Sequence, residues 1–466
     1  MASSVISLIG ALLFGLGAKA RSAAKPIKRL RRRLERPDRI LGRARKRVMP
    51  FRSMLRRLRL PHIRYVGVTG SAGKTTTAKL IGAVLSTDGL CYVGAGYEGV
   101  GTTTPDLTGL PADSKFCVHE LYGHEPGALK PALRILRPQI GVVTTVGMDH
   151  RKNYRSLEAT AQEKGTLVEF LAPDGTAILN FDDPHVRPMA TRTRARVLSY
   201  GCVPDADIRA TDVECSWPGR LRFAVNYGQQ RVQLQTKLVG DIWITSILAA
   251  IACGLACGLD LKACAKAVAE FEPVFARTSV HSLPDGPDFV LDTHKAPLWT
   301  VAHSLAFIKG AQAPRKTIVV GTLSDYAGGG SDTYRKVARQ ALEVADRVVF
   351  VGRHAGYVSK LRKDGIENRL FSFMTTYQAA TFLKEKSIPN ELIYLKATSR
   401  DHMERIMLDR FDLVMCWKER CGRVYACPNC RSYRHRHPPP FGVDGTEAGL
   451  ETPDEPAAST EAAPSH

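Results

Sequence analysis

The residues best suited to hold a phosphate group lie in VGVTGSAGKTTTAKL, residues 66–80. A β-branched run ends in glycines, a lysine and three threonines follow, and apolar residues then recur at helical spacing. A glycine-rich loop in this setting points backbone N–H groups and the positive end of the helix at an anion. Lys74 would reach the outer phosphates of a nucleotide, and the Thr75 hydroxyl would hold Mg²⁺. The predicted nucleotide contacts are Thr69, Gly70, Ser71, Gly73, Lys74, Thr75 and Thr76.

A simple strand-to-helix turn is the competing interpretation of this stretch. The strict phosphate-loop pattern has a glycine five residues before Gly73, and Val68 stands there instead. The run T-G-x-x-G-K-T-T favours the nucleotide site.

Three further polar residues are candidates for the chemistry at such a site. They are Glu120 in KFCVHELYGHEPG, His150 in GVVTTVGMDH, and Lys164 in the helical stretch SLEATAQEKGTLVEFL. A carboxylate and an imidazole beside a triphosphate are natural Mg²⁺ ligands. Each residue also has a structural interpretation, since His150 could cap a strand and Lys164 could lie on the surface. Glu120 could pair with His124. Their order after a phosphate loop favours the functional interpretation.

Four of the eleven cysteines are crowded into CWKERCGRVYACPNC, near the end of the chain. The predicted Zn²⁺ ligands are Cys416, Cys421, Cys427 and Cys430. Their spacing is typical of a tetrahedral four-sulfur site, with His435 or His437 as a substitute ligand. Reduced cysteines in a surface segment are the alternative. The zinc would be structural, or the segment would recognise a protein partner. The other seven cysteines are scattered, which suits a reducing compartment.

The net charge of +21 is concentrated near the beginning of the chain. Residues 19–59 carry 18 Lys and Arg against two acids, and this basic block follows the uncharged stretch ASSVISLIGALLFGLGA. Charge after the apolar stretch, rather than before it, favours an uncleaved membrane anchor over a signal peptide. A solvated helix face and a nucleic-acid-binding arm are alternatives, but aromatic residues are nearly absent from the block. We therefore expect a membrane-anchored protein whose basic segment and following domains lie in the cytoplasm, with no nucleic-acid partner.

The rest of the chain alternates strand-like and helical patterns, as a parallel α/β sheet requires. A break near Glu272-Pro273 predicts a boundary between two α/β domains, and the acidic, Pro-rich sequence after Pro438 predicts a disordered tail. The predicted helices are 156–171, 245–257 and 332–345, and the predicted strands are 116–121, 141–146, 176–179, 289–291, 317–320, 347–351 and 392–395.

From about residue 64 to 415 the sequence resembles the Mur ligases, ATP-dependent enzymes that join an amine to a carboxylate during peptidoglycan synthesis. The similar stretches are VTGSAGKTTT, VHELYGHEPGALKPALRILRPQIGVVTTVGMDH, SLEATAQEKGTL, ILNFDDP and LDTHKAPLWTV. GTLSDYAGGGSDTYRKVARQALEVADRVVFVG and LKATSRDHMERI are most similar to the members that add D-alanyl-D-alanine.

The resemblance implies the fold: a central P-loop parallel-sheet ATPase domain and a C-terminal Rossmann-like α/β domain, after an N-terminal membrane-associated segment. The predicted divisions are an apolar membrane segment (1–18), a basic juxtamembrane segment (19–61), a central ATP-binding domain (62–272), a C-terminal domain (273–415), a zinc-ribbon-like segment (416–437) and an acidic tail (438–466).

The resemblance also implies the reaction. An acceptor carboxylate attacks the γ-phosphate of ATP, and an amine then displaces phosphate from the acyl phosphate. Glu120 and His150 would hold a second Mg²⁺, and Lys164 would bridge to it as a carbamate. Further nucleotide contacts implied by the family are Asn180, Asp183, Arg277, Asp292 and Lys295.

Departures from the family pattern bear on the substrates. The family's N-terminal UDP-sugar domain has no counterpart, so we expect an acceptor presented at the membrane, such as a lipid-linked precursor or a poly-γ-glutamate chain. Ile242, Trp243 and Ser246 replace the usual residues near adenine, and Lys295 replaces a histidine or asparagine. A membrane-tethered ATP-binding partner subunit is the alternative from another functional class.

Overall fold

A computed structural model of the protein describes residues 37–96, 105, 107–363, 365–411, 414–419, 421–424 and 426–430. No helix within these ranges is both long and apolar enough to cross a membrane. The predicted membrane segment (1–18), His435, His437 and the predicted acidic tail (438–466) lie outside the described residues.

The end of the basic segment forms helix α1, Pro37–Arg59, which contacts the first domain. The Arg57 guanidinium lies 3.8 Å from the ring centroid of Tyr65 and donates to the carbonyl of Leu136. The Arg56 guanidinium donates to the carbonyl of Leu110. The last turn of α1 is therefore tied to the folded protein by arginines of the predicted juxtamembrane segment.

The first sheet has nine strands in the order β2-β3-β1-β4-β5-β6-β7-β8-β9. From β2 to β7 neighbouring strands are parallel, and the pairs β7–β8 and β8–β9 are antiparallel. The strands are β1 (Arg64–Thr69), β2 (Cys91–Gly94), β3 (Phe116–Glu120), β4 (Ile140–Val143), β5 (Thr176–Asn180), β6 (Arg196–Gly201), β7 (Ile208–Glu214), β8 (Arg222–Tyr227) and β9 (Gln230–Gln235).

Helices cover both faces of this sheet, so its central parallel strands are largely buried and mainly apolar. One face packs against the helix that follows the glycine-rich loop and against a nearly all-apolar helix late in the domain. The helices are α2 (Lys74–Leu85), α3 (Leu129–Leu136), α4 (Leu157–Glu169), α5 (Ile244–Ala256) and α6 (Leu261–Glu270).

The second sheet has six strands in the order β10-β11-β15-β12-β13-β14, and all pairs except β10–β11 are parallel. The strands are β10 (Ser279–Ser282), β11 (Asp288–Asp292), β12 (Lys316–Val320), β13 (Arg347–Val351), β14 (Leu370–Phe373) and β15 (Leu392–Lys396). The helices are α7 (Val301–Gly310), α8 (Gly330–Val344), α9 (Thr376–Lys386) and α10 (Glu404–Phe411).

The predicted α/β class with mainly parallel sheets is confirmed, and all seven predicted strands and three predicted helices are present with shifted ends. The antiparallel strands β7, β8 and β9 were not predicted. They form an edge of the first sheet whose outer strand is largely exposed, so its sequence lacks the continuous apolar run of the central strands. The short pairing strand β10 was also missed.

Candidate active site

The glycine-rich loop joins β1 to α2 and has two residues at positive φ. Gly70 has φ +145°, and a Cβ built there would lie 2.0 Å from the Thr144 hydroxyl. Gly73, at φ 78°, is the N-cap of α2. The Ser71 amide donates to the carbonyl of Thr145 at 2.8 Å, which fixes the loop against the end of β4. Lys74, Thr75 and Thr76, in the first turn of α2, are all buried.

Glu120 ends β3, directly opposite Val68 in the parallel register with β1. This pairing brings its carboxylate to the loop, where Oε2 accepts from the Thr75 hydroxyl at 2.7 Å and from the Gly96 amide at 3.1 Å. Its other oxygen, Oε1, is buried and accepts from no group in the described part of the chain. An unsatisfied anionic oxygen beside a threonine hydroxyl fits a divalent cation, because both atoms are hard oxygen ligands.

The Thr75 hydroxyl also contacts the second half of the chain. Nη2 of Arg277 donates to Thr75 Oγ1 at 3.0 Å. Arg277 precedes β10, so this contact brings a guanidinium of the C-terminal part to the phosphate loop.

Lys164 lies on α4 and is completely buried, with Nζ donating to the Gly123 carbonyl at 2.8 Å. Burial, reinforced by the positive charge of Lys74, lowers the pKa of Lys164 to about 7. The neighbouring Glu163 carboxylate accepts from the amides of Gly127 and Leu129, so α4 is held to the loop after β3. A buried amine that is readily neutral is chemically suited to react with CO₂ and form a carbamate.

Asp149 and His150 lie beyond β4, and Oδ2 of Asp149 is 3.3 Å from Nε2 of His150. His150 has a left-handed backbone, φ 51°, which is uncommon for a non-glycine residue. Burial lowers the pKa of His150, and the Asp149 carboxylate only partly offsets this effect. Burial acts to raise the pKa of Asp149, but Lys295, Lys74 and other nearby cations outweigh it and lower that pKa.

These two residues line one side of a cavity of about 730 Å³ between the two halves of the chain. Lys295, Arg353, Asp401 and Glu419 are among the lining residues from the second half. The cavity is therefore polar and carries groups of both charges. Its size is in the usual range for a small-molecule site.

Comparisons with known proteins identify the domain that carries the phosphate loop. Residues 68–254 match the Mur ligase middle domain. The chain contains a Mur ligase middle domain. It is also 28% identical over 367 residues to the UDP-N-acetylmuramoyl-tripeptide–D-alanyl-D-alanine ligase of Mycobacterium leprae, covering 72% of this chain and 70% of the relative. The corresponding Mycobacterium tuberculosis ligase is 29% identical over 298 residues, covering 62% of this chain and 58% of that protein.

Solved Mur ligase structures have the same fold. MurF from Acinetobacter baumannii superposes with a TM-score of 0.68 at 21% identity, covering 78% of this chain and 80% of that one. MurF from Thermotoga maritima superposes with a TM-score of 0.67 at 20% identity, covering 77% and 82%. These matches confirm the predicted resemblance to the Mur ligases.

Some of the residues predicted to contact the nucleotide use their polar atoms in hydrogen bonds to other groups of the protein. Asn180 donates to the Thr144 carbonyl and accepts from the amide of Asp182. The Asp183 carboxylate accepts from the Thr145 hydroxyl and three amides. Both residues therefore hold the loop that follows β4. Asp292 accepts from Nζ of Lys396 at 2.6 Å.

The replacements at the expected adenine contact pack into the Mur ligase middle domain. Trp243 is buried in its core, and its indole N–H donates to the Thr278 hydroxyl. The Ser246 hydroxyl accepts a 2.9 Å hydrogen bond from the hydroxyl of Thr77 in α2. Trp243 therefore packs within the core.

The predicted four-sulfur zinc site is not formed by the described residues. Cys421 and Cys427 lie against His402, whereas Cys430 accepts from the Arg423 guanidinium at 3.1 Å. The residues close enough together to share a metal ion are His402, Glu404 and Cys427. Spacing along the chain suggested four sulfurs, but the segment packs against α10 and its preceding turn, which supply nitrogen and oxygen donors.

Several residues that shape this site were not predicted from the sequence. The Lys74 ammonium lies 5.8 Å from the ring centroid of Tyr122, and the Gly123 carbonyl accepts from Lys164. Both residues lie in the quoted stretch KFCVHELYGHEPG, directly after Glu120 and Leu121, but they were not singled out. Glu163 gave no separate signal, because an acid on an amphipathic helix is ordinarily solvent-facing.

Proposed function

We propose that this protein is an ATP-dependent ligase that joins an amine to a carboxylate in the assembly of cell-wall or related peptides. One observation carries the proposal: the Thr75 hydroxyl lies between the half-satisfied carboxylate of Glu120 and the guanidinium of Arg277. A threonine hydroxyl in this position can coordinate a nucleotide-bound cation. The contact from Arg277 joins the two halves of the chain at that point.

Lys74 and the loop amides would bind the phosphates of ATP, and Thr75 and Glu120 would hold Mg²⁺. When bound, Mg²⁺ would neutralise phosphate charge during transfer, a reaction that depends on position and electrostatics more than on covalent help from the protein. Arg277 would add positive charge from the other side of the loop.

The acceptor carboxylate would lie near His150 and the carbamate of Lys164. An ammonium at Lys164 would repel a second cation, whereas a carbamate carries the negative charge that a metal ligand requires. The low pKa of Lys164 supports this step, because only a neutral amine adds to CO₂. His150 would be the other ligand of this second cation, since its lowered pKa keeps the imidazole neutral.

The incoming amine would occupy the cavity bounded by Asp149 of the first half and by Lys295 and other residues of the second half of the chain. Carboxylates on the cavity wall suit its ammonium group, and Arg353 and Arg400 suit a carboxylate of an amino acid or dipeptide. Closure of the two halves would keep water from the acyl phosphate.

For the acceptor, the relatives' names support a UDP-muramoyl peptide. A lipid-linked or poly-γ-glutamate acceptor is the second candidate, favoured by the apolar stretch 2–18 and the basic block after it. In that case the chain would lie at the inner face of a bacterial membrane, with its catalytic domains in the cytoplasm.

Phosphate release tests these assignments directly. The full chain is incubated with ATP and Mg²⁺, in one series with UDP-muramoyl tripeptide and D-alanyl-D-alanine, in another with lipid-linked precursors and an amino-acid pool. Acceptor-dependent phosphate release with a new amide product supports the ligase, and the active series identifies the acceptor class. ATP hydrolysis that depends on neither the acceptor nor the amine would overturn the proposed ligase function.

A further inference from the structure

The segment 414–430 meets the second α/β domain at a buried cluster of three metal-binding side chains. His402 lies in the turn before α10, Glu404 is the first residue of that helix, and Cys427 begins a short helical turn. All three are buried, and their donor atoms lie within 4.8 Å of one another. None of them belongs to the phosphate-loop site.

The distances within the cluster match those between ligands of one ion. Nδ1 of His402 is 3.4 Å from Oε1 of Glu404 and 3.5 Å from Sγ of Cys427. Bonds of about 2.0–2.3 Å in tetrahedral geometry separate two zinc ligands by about 3.5 Å. The nitrogen–oxygen distance is long for a hydrogen bond, which is ordinarily 2.7–3.2 Å.

The surroundings orient the donors. The Cys427 amide donates to Oε1 of Glu404 at 2.9 Å, which holds the carboxylate beside the sulfur. On the opposite edge of the imidazole, Nε2 of His402 is 2.9 Å from Sγ of Cys421. A histidine bound to a metal through Nδ1 carries its proton on Nε2, and a hydrogen-bond acceptor there fixes the ring. Cys421 is in that position.

The backbone of His402 is consistent with this arrangement. Its φ of 51° is left-handed, which is uncommon for a non-glycine residue, and this conformation is kept only where the surroundings fix it. Nε of Arg405 donates to the His402 carbonyl, and Nη1 of Arg405 donates to the carbonyls of Cys416 and Lys418. The guanidinium therefore ties the turn to the segment by backbone contacts.

We propose that His402, Glu404 and Cys427 bind a divalent transition-metal ion, with zinc the best match, through one nitrogen, one sulfur and carboxylate oxygen. Cys427 loses its proton on binding, so thiolate and carboxylate together balance the charge of the ion in a buried site. A second carboxylate oxygen or a water completes four-coordination. Cys421 positions the histidine, and Cys416 and Cys430 are not ligands.

The site has a structural consequence for the cavity. Met403, between two of the proposed ligands, lines the cavity, and so do Glu419 and Val424 of the same segment. The Glu419 carboxylate accepts from the Thr376 amide at the start of α9. The ion would thus fix one wall of the cavity by joining 402–404 to 427.

The test is the metal content of the full chain purified without added metal, together with X-ray absorption at the metal edge. We expect one zinc per chain and a first shell with a single sulfur. If the purified chain contains no metal and binds none when Zn²⁺ is added, the proposed site is wrong. Two or more sulfur ligands around the metal would also overturn it.

Variants separate the ligands from their neighbours. Cys427→Ser should lower the metal content to a small fraction of one per chain, whereas the matched variant Cys430→Ser should keep it. Cys421→Ser should keep the metal with affinity weakened about 10- to 100-fold, as for a group that orients a ligand. Equal loss in Cys427→Ser and Cys430→Ser would contradict the assignment. If Cys427→Ser does not fold, the absorption spectrum of the natural chain still decides the sulfur count.

Discussion

Arg277 and Thr75 are 202 positions apart in sequence, and their side chains meet at 3.0 Å on the phosphate loop. The arginine belongs to the part of the chain that carries the second sheet, and the threonine begins the helix after the loop. We therefore expect nucleotide binding at the loop to depend on the position of the second half.

Arg277→Ala should lower kcat/KM for ATP without unfolding the protein. Loss of a hydrogen bond to a charged group costs about 1.5–3 kcal/mol, which corresponds to a roughly 10- to 150-fold change in rate. Steady-state phosphate release measures the effect, and a thermal melt checks the fold. Arg222→Ala, at an exposed salt bridge with Glu214, is the control and should change neither. Unchanged ATP kinetics in Arg277→Ala would remove this residue from the nucleotide site.

Lys164 should carry a carbamate whose occupancy depends on pH. Since the pKa of Lys164 is about 7, the amine is mainly neutral above that pH and mainly an ammonium below it. We expect a carbamate signal in ¹³C NMR of protein equilibrated with ¹³C-bicarbonate at pH 8, falling as the pH is lowered below 7. The signal should be absent in Lys164→Ala, which should also lose ligation. The exposed Lys152→Ala is the control and should keep both.

An unchanged signal in Lys164→Ala would show that the carbamate is elsewhere. Full ligase activity in that variant, with a normal melt, would exclude Lys164 from the metal site.

Gly70→Ala should disrupt the phosphate loop. A Cβ would lie 2.0 Å from the Thr144 hydroxyl and 3.1 Å from the Thr145 amide, and φ +145° is strained for alanine. We expect loss of ATP binding in isothermal titration calorimetry and destabilisation of about 1–3 kcal/mol. Gly109→Ala is the matched control, because nothing lies within 4 Å of the added carbon. Equal ATP affinity in the two variants would contradict the assigned role of Gly70.

Much of this site was predictable from sequence because its residues follow buried strands. Thr75 follows β1, Glu120 is the last residue of β3 and His150 follows β4. Because these strands are parallel neighbours, their carboxyl ends lie at one edge of the sheet. The side-chain hydrogen bonds of Asp183 were not predictable, since they depend on the path of the loop after β4. The same limit applies to the cysteine segment, where sequence spacing could not reveal the contribution of His402.

Removal of the proposed metal should weaken binding of the amine more than catalysis with bound substrate. The segment that holds Cys427 also supplies Glu419 and Val424 to the cavity wall, whereas the phosphate loop lies in the first domain. Dialysis against a strong chelator, followed by assay in Mg²⁺, should raise KM for the amine and leave KM for ATP unchanged. Zn²⁺ should restore the original value. Equal rises in both KM values would indicate general unfolding rather than a change in the cavity wall.

The stability of the second sheet should depend on the buried carboxylate of Glu391, which precedes β15. It is completely buried and pairs with the guanidinium groups of Arg315 and Arg347. Glu391→Ala would leave two cations without their partner, and loss of one member of a buried pair costs about 3–5 kcal/mol. Hydrogen exchange of amides in β12 and β15 should report a fall of this size in the free energy of opening. Glu214→Ala removes one member of an exposed ion pair and should lower the free energy of unfolding by about 1 kcal/mol or less. Similar losses in the two variants would show that burial does not explain how much the Glu391 ion pairs stabilise the protein.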